Sequence, residues 1–410
     1  MTEAEMKTGD IIELTATSMA HGGEAIAHAD DGRVVFVLGA VPGDSVRVSV
    51  TKTKKRWARA EVLEVLTPSE NRIASTCEAA AHGAGCCDYA VIAPEVQLGY
   101  KVDVLTGQLG ALAQRSGVLE RFDLEKIEPV QLTPTLGWRT RVRLGVDEQG
   151  RAGLRKRKST EVVTEPCSQV FPGLIHDLSQ FDFTPGAEVV AVMDSNGNRH
   201  IVESSRVPRG RRVEKITRVI EGSGEVIERA DGHQFTFPAT AFWQAHTNAP
   251  DTYTQLIRSW AKESFESTVG WDLYGGVGVF VPAIADALAK EGKEGKIISV
   301  DYSASVDKSQ AELDGYNLEL VNGRVEAVVA KLEKPGLVVL DPPRAGAGKE
   351  VIETIAAQAP EQVIHVGCDP STFARDLADW GEAGYRVNRM ALIDAFPNTH
   401  HFEVMAELTR

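Results

Sequence analysis

Between Gly9 and Leu66 apolar and polar residues alternate in short runs. IIELTAT, GRVVFVLGAV, DSVRVSVTK and RWARAEVLEVL are separated by GG, DDG and PGD. Period-two alternation bounded by glycine and aspartate turns predicts strands. Five or so strands in so short a stretch predict a small closed barrel, because closure removes exposed sheet edges. Beyond a cysteine-bearing loop, Val96, Leu98, Val102, Leu105 and Leu109 fall near helical spacing in APEVQLGYKVDVLTGQLGALAQ, which predicts a helix. From Trp138 to about Phe237 the pattern returns to strands mixed with basic loops. After Ala241 the runs WDLYGG, KIISVD, GLVVLDPP, QVIHVGCDP and YRVNRMALIDAF mostly alternate with helical stretches. That rhythm predicts an α/β unit, a mostly parallel sheet covered on both faces. The expected organisation is a barrel over 1–67, a central mostly-β domain over 68–236 and the α/β domain over 237–410.

The length of 410 residues fits two or three domains better than one core. No stretch approaches the roughly 18 apolar residues of a membrane span, and MTEAEMKTGD has no secretory core. The expectation is a soluble cytoplasmic protein with no membrane partner and no obligate protein partner. The formal net charge of -14 argues at first against nucleic acid, but local charge decides that question better. Arg47, Lys52, Lys54, Lys55, Arg56 and Arg59 form one basic run. Arg139, Arg141, Arg143, Arg151, Arg155, Lys156, Arg157 and Lys158 form a second, and Arg209, Arg211, Arg212 and Lys215 a third. Taken singly each is a solvated surface; three in the first half of an acidic chain predict a phosphate-binding face and an RNA partner. A barrel of the oligonucleotide-binding sort would carry the first run on its binding face. A barrel that merely supports its neighbour is the other reading.

In open α/β sheets, ligands lie beyond the carboxyl ends of the strands. Three such ends carry suitable residues: Asp272-Leu273-Tyr274-Gly275-Gly276-Val277-Gly278, Asp301, and Asp341 in DPPRAG. The glycines allow close backbone approach, and an acid at position 301 suits ribose hydroxyls. No third spaced glycine follows GGVG, which favours a nucleoside over a dinucleotide. Cys368, between QVIHVG and a helix opened by Pro370, is placed as a nucleophile, its thiol expected to be acidified by free amides and the helix dipole. A thiolate added at carbon 6 of uracil makes carbon 5 nucleophilic, and a base must then take the carbon 5 proton. Glu403 in FPNTHHFEVMAEL is a candidate, sharing a face with His401 if HHFEV is a strand.

These residues resemble the RNA uracil-5 methyltransferases, which make 5-methyluridine in tRNA and rRNA, over nearly the whole chain. DLYGGVGVF, DPPRAG, HVGCDPSTFARDL and DAFPNTHHFE are similar to the family's four ordered motifs. The resemblance implies a TRAM barrel, a Rossmann-like S-adenosylmethionine methyltransferase domain, Cys368 as nucleophile and Glu403 as base. It implies cofactor contacts from Gln244, Tyr274, Asp301 and Asp341. Departures are Gly275 in place of a cysteine, expected to be harmless, Val279 and His246 in place of asparagines, and Asp301 in place of a glutamate. The resemblance also implies a [4Fe–4S] cluster on Cys77, Cys86, Cys87 and Cys167, although the family's CGGC element is contracted to GCC. An RNA-binding protein without catalysis, and a methyltransferase for a small molecule or protein, are the alternative readings. Retention of Cys368 and Glu403 weighs against the first, and the barrel and basic clusters weigh against the second.

Overall fold

The computed structural model describes residues 6–209, 212–289, 294–302 and 313–410. Strands β1 (Ile11–Met19), β2 (Ala25–His28), β3 (Val34–Leu38), β4 (Ser45–Thr53) and β5 (Trp57–Thr67) close into a barrel in the order β1-β2-β3-β5-β4. Alternate residues point inward, among them Ala25, Ala27, Val35, Val37, Val46, Val48, Ala58 and Ala60, all buried. Small and β-branched side chains suit the narrow interior of a five-stranded barrel.

The chain continues through α1 (Glu78–Ala81) and α2 (Pro94–Leu112) to β6 (Glu128–Gln131). A second sheet follows, ordered β12-β11-β10-β7-β8-β9. Its strands are β7 (Arg141–Val146), β8 (Ala152–Arg155), β9 (Val162–Val163), β10 (Glu188–Met193), β11 (Arg199–Arg209) and β12 (Arg212–Glu221). A separate hairpin joins β13 (Glu225–Ala230) to β14 (His233–Pro238).

The third sheet runs β17-β16-β15-β18-β19-β21-β20-β6. Its members are β15 (Val269–Leu273), β16 (Lys296–Asp301), β17 (Asn317–Asn322), β18 (Leu337–Leu340), β19 (Gln362–Gly367), β20 (Arg386–Asp394) and β21 (Glu403–Thr409). β15 through β19 are mutually parallel, and β21 lies antiparallel between β19 and β20. The described helices that accompany it are α3 (Ala249–Trp260), α4 (Val281–Leu288), α5 (Val325–Val328), α6 (Lys349–Ala357) and α7 (Pro370–Glu382). Every residue of β15, β18 and β19 is buried, as expected where both faces are covered. β6 was not visible in the sequence pattern: it leaves the 68–236 stretch to pair in parallel with β20. Among the described residues no helix is long and apolar enough to cross a membrane.

Candidate active site and cysteine cluster

Strand order reverses at β15, so the loops after β15, β16 and β18 open onto one crevice. Tyr274 takes a left-handed φ of 61° and Gly276 one of 59°. The resulting turn lets the Gly276 amide donate to Asp301 Oδ2 at 3.0 Å. The Asp341 amide donates to the Leu273 carbonyl at 3.2 Å. Tyr274, Asp301 and Asp341 therefore stand at the ends of three adjacent strands. Asp272 is fully buried and accepts from Ser299 Oγ at 2.8 Å, while its Oδ1 and the Tyr274 hydroxyl have no partner. Burial and the nearby Asp301 charge push the Asp272 carboxyl up to about 7. Gly275 leaves room for its neighbours here: an added Cβ would overlap the Asp272 carboxylate and lie 2.5 Å from Ser299 Oγ. A cysteine there would displace the Asp272–Ser299 pair.

Cys368 follows the last residue of β19, and Glu403 opens β21. The antiparallel register pairs Gly367 with Val404, so its continuation sets position 368 opposite 403. Burial, Glu403 and Asp341 push the Cys368 thiol up to about 12, against the pull of Arg344. This reverses the expectation of an acidified thiol. Pro370 has no amide to give, and the Asp369 carboxylate accepts the Ser371 and Thr372 amides, both at 3.0 Å. The cap takes the donors that a thiolate would need. Glu403 is likewise raised well above the usual carboxylate range, by burial and then by Asp341. Asp341 itself rises to about 7 through burial and Asp272. Two groups at this cluster have no counterpart in the sequence reading. Tyr253 on α3 is fully buried with an unpartnered hydroxyl and feels the charges of Glu403, Asp341 and Cys368. Arg344 supplies positive charge to Cys368 and Glu403 from within DPPRAG.

The DPPRAG loop is strapped to α7. Asp376 accepts from the Ala347 amide at 2.7 Å, and Arg375 donates to the Ala345 carbonyl at 2.6 Å. That explains why Arg375 and Asp376 share a motif with Cys368.

The segment before Glu403 is fixed from α2 and from the cysteine loop. Lys101 on α2 is fully buried and donates to Asp394 Oδ1 at 2.6 Å. Tyr89 donates its amide to the Asn398 carbonyl at 3.1 Å, and Asp88 pairs with His400. β21 begins at Glu403, so His401 lies outside the strand and does not share its face. Its ring sits 3.9 Å from that of His400. From the barrel, His21 reaches Asp369 at 3.1 Å. Gln244 is buried in the segment between β14 and α3. Nearby, His246 stacks on Trp138, accepts the Asn248 amide at Nδ1 and presents Nε2 to the Pro134 carbonyl at 3.1 Å.

The four remaining cysteines converge, although Cys167 is far from the others in sequence. All four sulfurs lie within 4.8 Å of one another. In a [4Fe–4S] cube each thiolate binds a different iron, so ligand sulfurs stand roughly 6 Å apart. These thiols are too close together to fit that group.

The basic clusters are only partly available to a phosphate. Arg47 pairs with Glu13 and Glu64, Arg141 with Glu228, Arg143 with Glu188 and Arg151 with Asp147. Lys52, Lys54, Lys55 and Arg56 at the β4–β5 turn remain exposed, as do Arg155, Arg157 and Lys158. In the third cluster, Gly210 and Arg211 and the side chains of Arg209 and Arg212 lie outside the described residues, and Lys215 is exposed.

Residues 322–410 match the tRNA (Uracil-5-)-methyltransferase family, and residues 5–63 match the TRAM domain. An uncharacterized RNA methyltransferase of Corynebacterium glutamicum is 47% identical, over 99% of this chain and 98% of that protein. One from Streptomyces avermitilis is 33% identical over 98% of each. The fold is similar to that of the Pyrococcus abyssi tRNA (uracil-54, C5)-methyltransferase solved with S-adenosyl-L-homocysteine. That likeness has a TM-score of 0.71 at 18% identity and covers 97% of this chain and 100% of that one.

Proposed function

From the premise that this chain belongs to the RNA uracil-5 methyltransferase family, we propose that it transfers a methyl group from S-adenosylmethionine to carbon 5 of a uridine in structured RNA, rRNA or tRNA. The observation that carries this reading is the opposition of Cys368 and Glu403 across β19 and β21, beside the three strand ends.

Gln244, Tyr274, Asp301 and Asp341 would hold the cofactor. The unpartnered Asp272 Oδ1 and Tyr274 hydroxyl, together with the open space over Gly276, fit a polar nucleoside. Asp301 keeps one oxygen on Gly276 and leaves the other for a ribose hydroxyl. S-Adenosylmethionine, when bound, supplies an electrophilic methyl group on a sulfonium sulfur. Cys368 Sγ, as thiolate, bonds to carbon 6 of the uracil and pushes an electron pair towards carbon 5, which takes the methyl group. Glu403 then removes the carbon 5 proton; the pair left behind restores the ring double bond and expels Cys368 as thiolate. The buried surroundings exclude water, and Arg344 offsets the negative charge that gathers there.

The exposed bases of the β4–β5 turn and of residues 155–158 would track phosphates. Arg157 donates to the Gly22 carbonyl in the β1–β2 turn at 3.4 Å, which ties the second patch to the barrel. We retain the three-part division at 67 and 236, with α2 and β6 serving the last part. The test is incubation with methyl-labelled S-adenosylmethionine and total RNA from a strain lacking this gene. Label in 5-methyluridine supports the reading, and the size of the labelled RNA separates rRNA from tRNA. Binding of RNA and cofactor without label would replace it with a non-catalytic RNA-binding role.

A further inference from the structure

Sulfur separations in the cysteine cluster are 3.5 Å for Cys86–Cys87 and 3.7 Å for both Cys86–Cys167 and Cys87–Cys167. A single ion bound to four thiolates at about 2.3 Å sets their sulfurs about 3.8 Å apart on the edges of a tetrahedron. We infer that Cys77, Cys86, Cys87 and Cys167 bind one tetrahedral divalent ion of the zinc class rather than an iron–sulfur cluster.

The surroundings fit that assignment. Adjacent residues have Cα atoms only about 3.8 Å apart, which suits two ligands of one ion better than two corners of a cube. The Ser168 amide donates to the Cys77 sulfur, as amides do around metal-bound thiolates. Four thiolates on a divalent ion leave two negative charges, and the Arg139 guanidinium faces Cys86, Cys87 and Cys167. Ala79, Ala84, Ala90, Val170 and Leu174 pack around the group; Cys77, Cys87 and Cys167 are buried and Cys86 is half-buried, a largely enclosed setting of the structural kind. The donor set contains thiols alone, which selects a soft or borderline ion over magnesium or calcium. The site also closes a long loop: the ion would tie Cys167 to the segment whose Asp88 and Tyr89 hold His400 and Asn398. Its role is positional, and it takes no part in methyl transfer.

The full chain, purified without oxygen, should contain about one zinc per molecule, no acid-labile sulfide and no iron–sulfur absorption. Exchange with cobalt(II) should give the visible bands of tetrahedral cobalt with thiolate charge transfer. Cys167→Ser should shift or abolish those bands. Because that variant can fail to fold, the cobalt spectrum of the unmodified chain carries the test. Iron and sulfide near four of each per chain would overturn the inference. So would four titratable thiols with no uptake of added zinc or cobalt. None of these readouts depends on methyl transfer.

Discussion

Cys368 and Glu403 fall opposite each other one step beyond the Gly367–Val404 pair that ends the antiparallel ladder of β19 and β21. One follows the final residue of a strand and the other begins the next strand over, so a single backbone register fixes their separation. Burial raises both groups; the Glu403 and Asp341 charges add to the rise of the thiol, and the Asp341 charge adds to that of the carboxyl.

Cys368→Ala should lower turnover by at least about 10³-fold, because no other group can add to carbon 6. Cofactor affinity, measured by calorimetry, should stay within a few-fold. Glu403→Gln should instead trap RNA on the protein, since the thiolate cannot leave before the carbon 5 proton does. The adduct would appear as a slow band on a denaturing gel, absent from Cys368→Ala.

The raised Cys368 thiol has a consequence for alkylation. With its value near 12, about one molecule in 10⁴ is thiolate at pH 8, and the fraction grows tenfold per pH unit. Iodoacetamide labelling of the Cys368 peptide, followed by mass spectrometry without cofactor, should still be accelerating at pH 10. A plateau below pH 8 would show an acidified thiol.

Asp272 should make the protein less stable as pH rises. Its folded value is about 7, above its unfolded value of about 4. The stability attached to the protonated form is therefore complete below pH 4 and is lost as pH rises through 7. Asp272→Asn removes the ionisation while keeping an acceptor for Ser299. Without cofactor it should be more stable than the parent at pH 8, by about 4 kcal/mol, and alike at pH 4.

Lys101→Met should destabilise the chain by about 3–5 kcal/mol, because it strands Asp394 in the interior. Lys101 has no exposed surface and Asp394 is 1% exposed. A second change, Asp394→Asn, should restore part of the loss in denaturant melts.

The barrel, the helix at 94–112 and the parallel strands are elements whose local pattern and tertiary role agree, so they read directly from the chain. Tyr274 and Asp341 were legible because a strand that ends in glycine or proline announces its carboxyl end, and Asp301 because it closes the apolar run KIISV. What escaped depends on partners distant in sequence. Nothing near Arg141 forecasts its pairing with Glu228, so a basic run looked more available than it is. β6 is four residues long and contains a proline, and only the edge of β20 makes it a strand. The acidified thiol failed on burial and on the charges of Glu403 and Asp341, which are brought to Cys368 by the fold. The cysteine spacing singled out the four thiols that converge but said nothing of the distance between their sulfurs.

The placement of β6 bears on where this protein can be cut. A polypeptide starting at residue 237 would keep Cys368, Glu403 and all three strand ends, yet it would expose the flank of β20 and strand Asp394 without Lys101. The missing strand and helix are 94–131, a stretch that precedes the second sheet. The sheet that holds Cys368 and Glu403 thus takes its edge strand from the other side of the 132–236 stretch. Co-expressing 1–131 with 237–410 should therefore give more soluble protein than 237–410 alone.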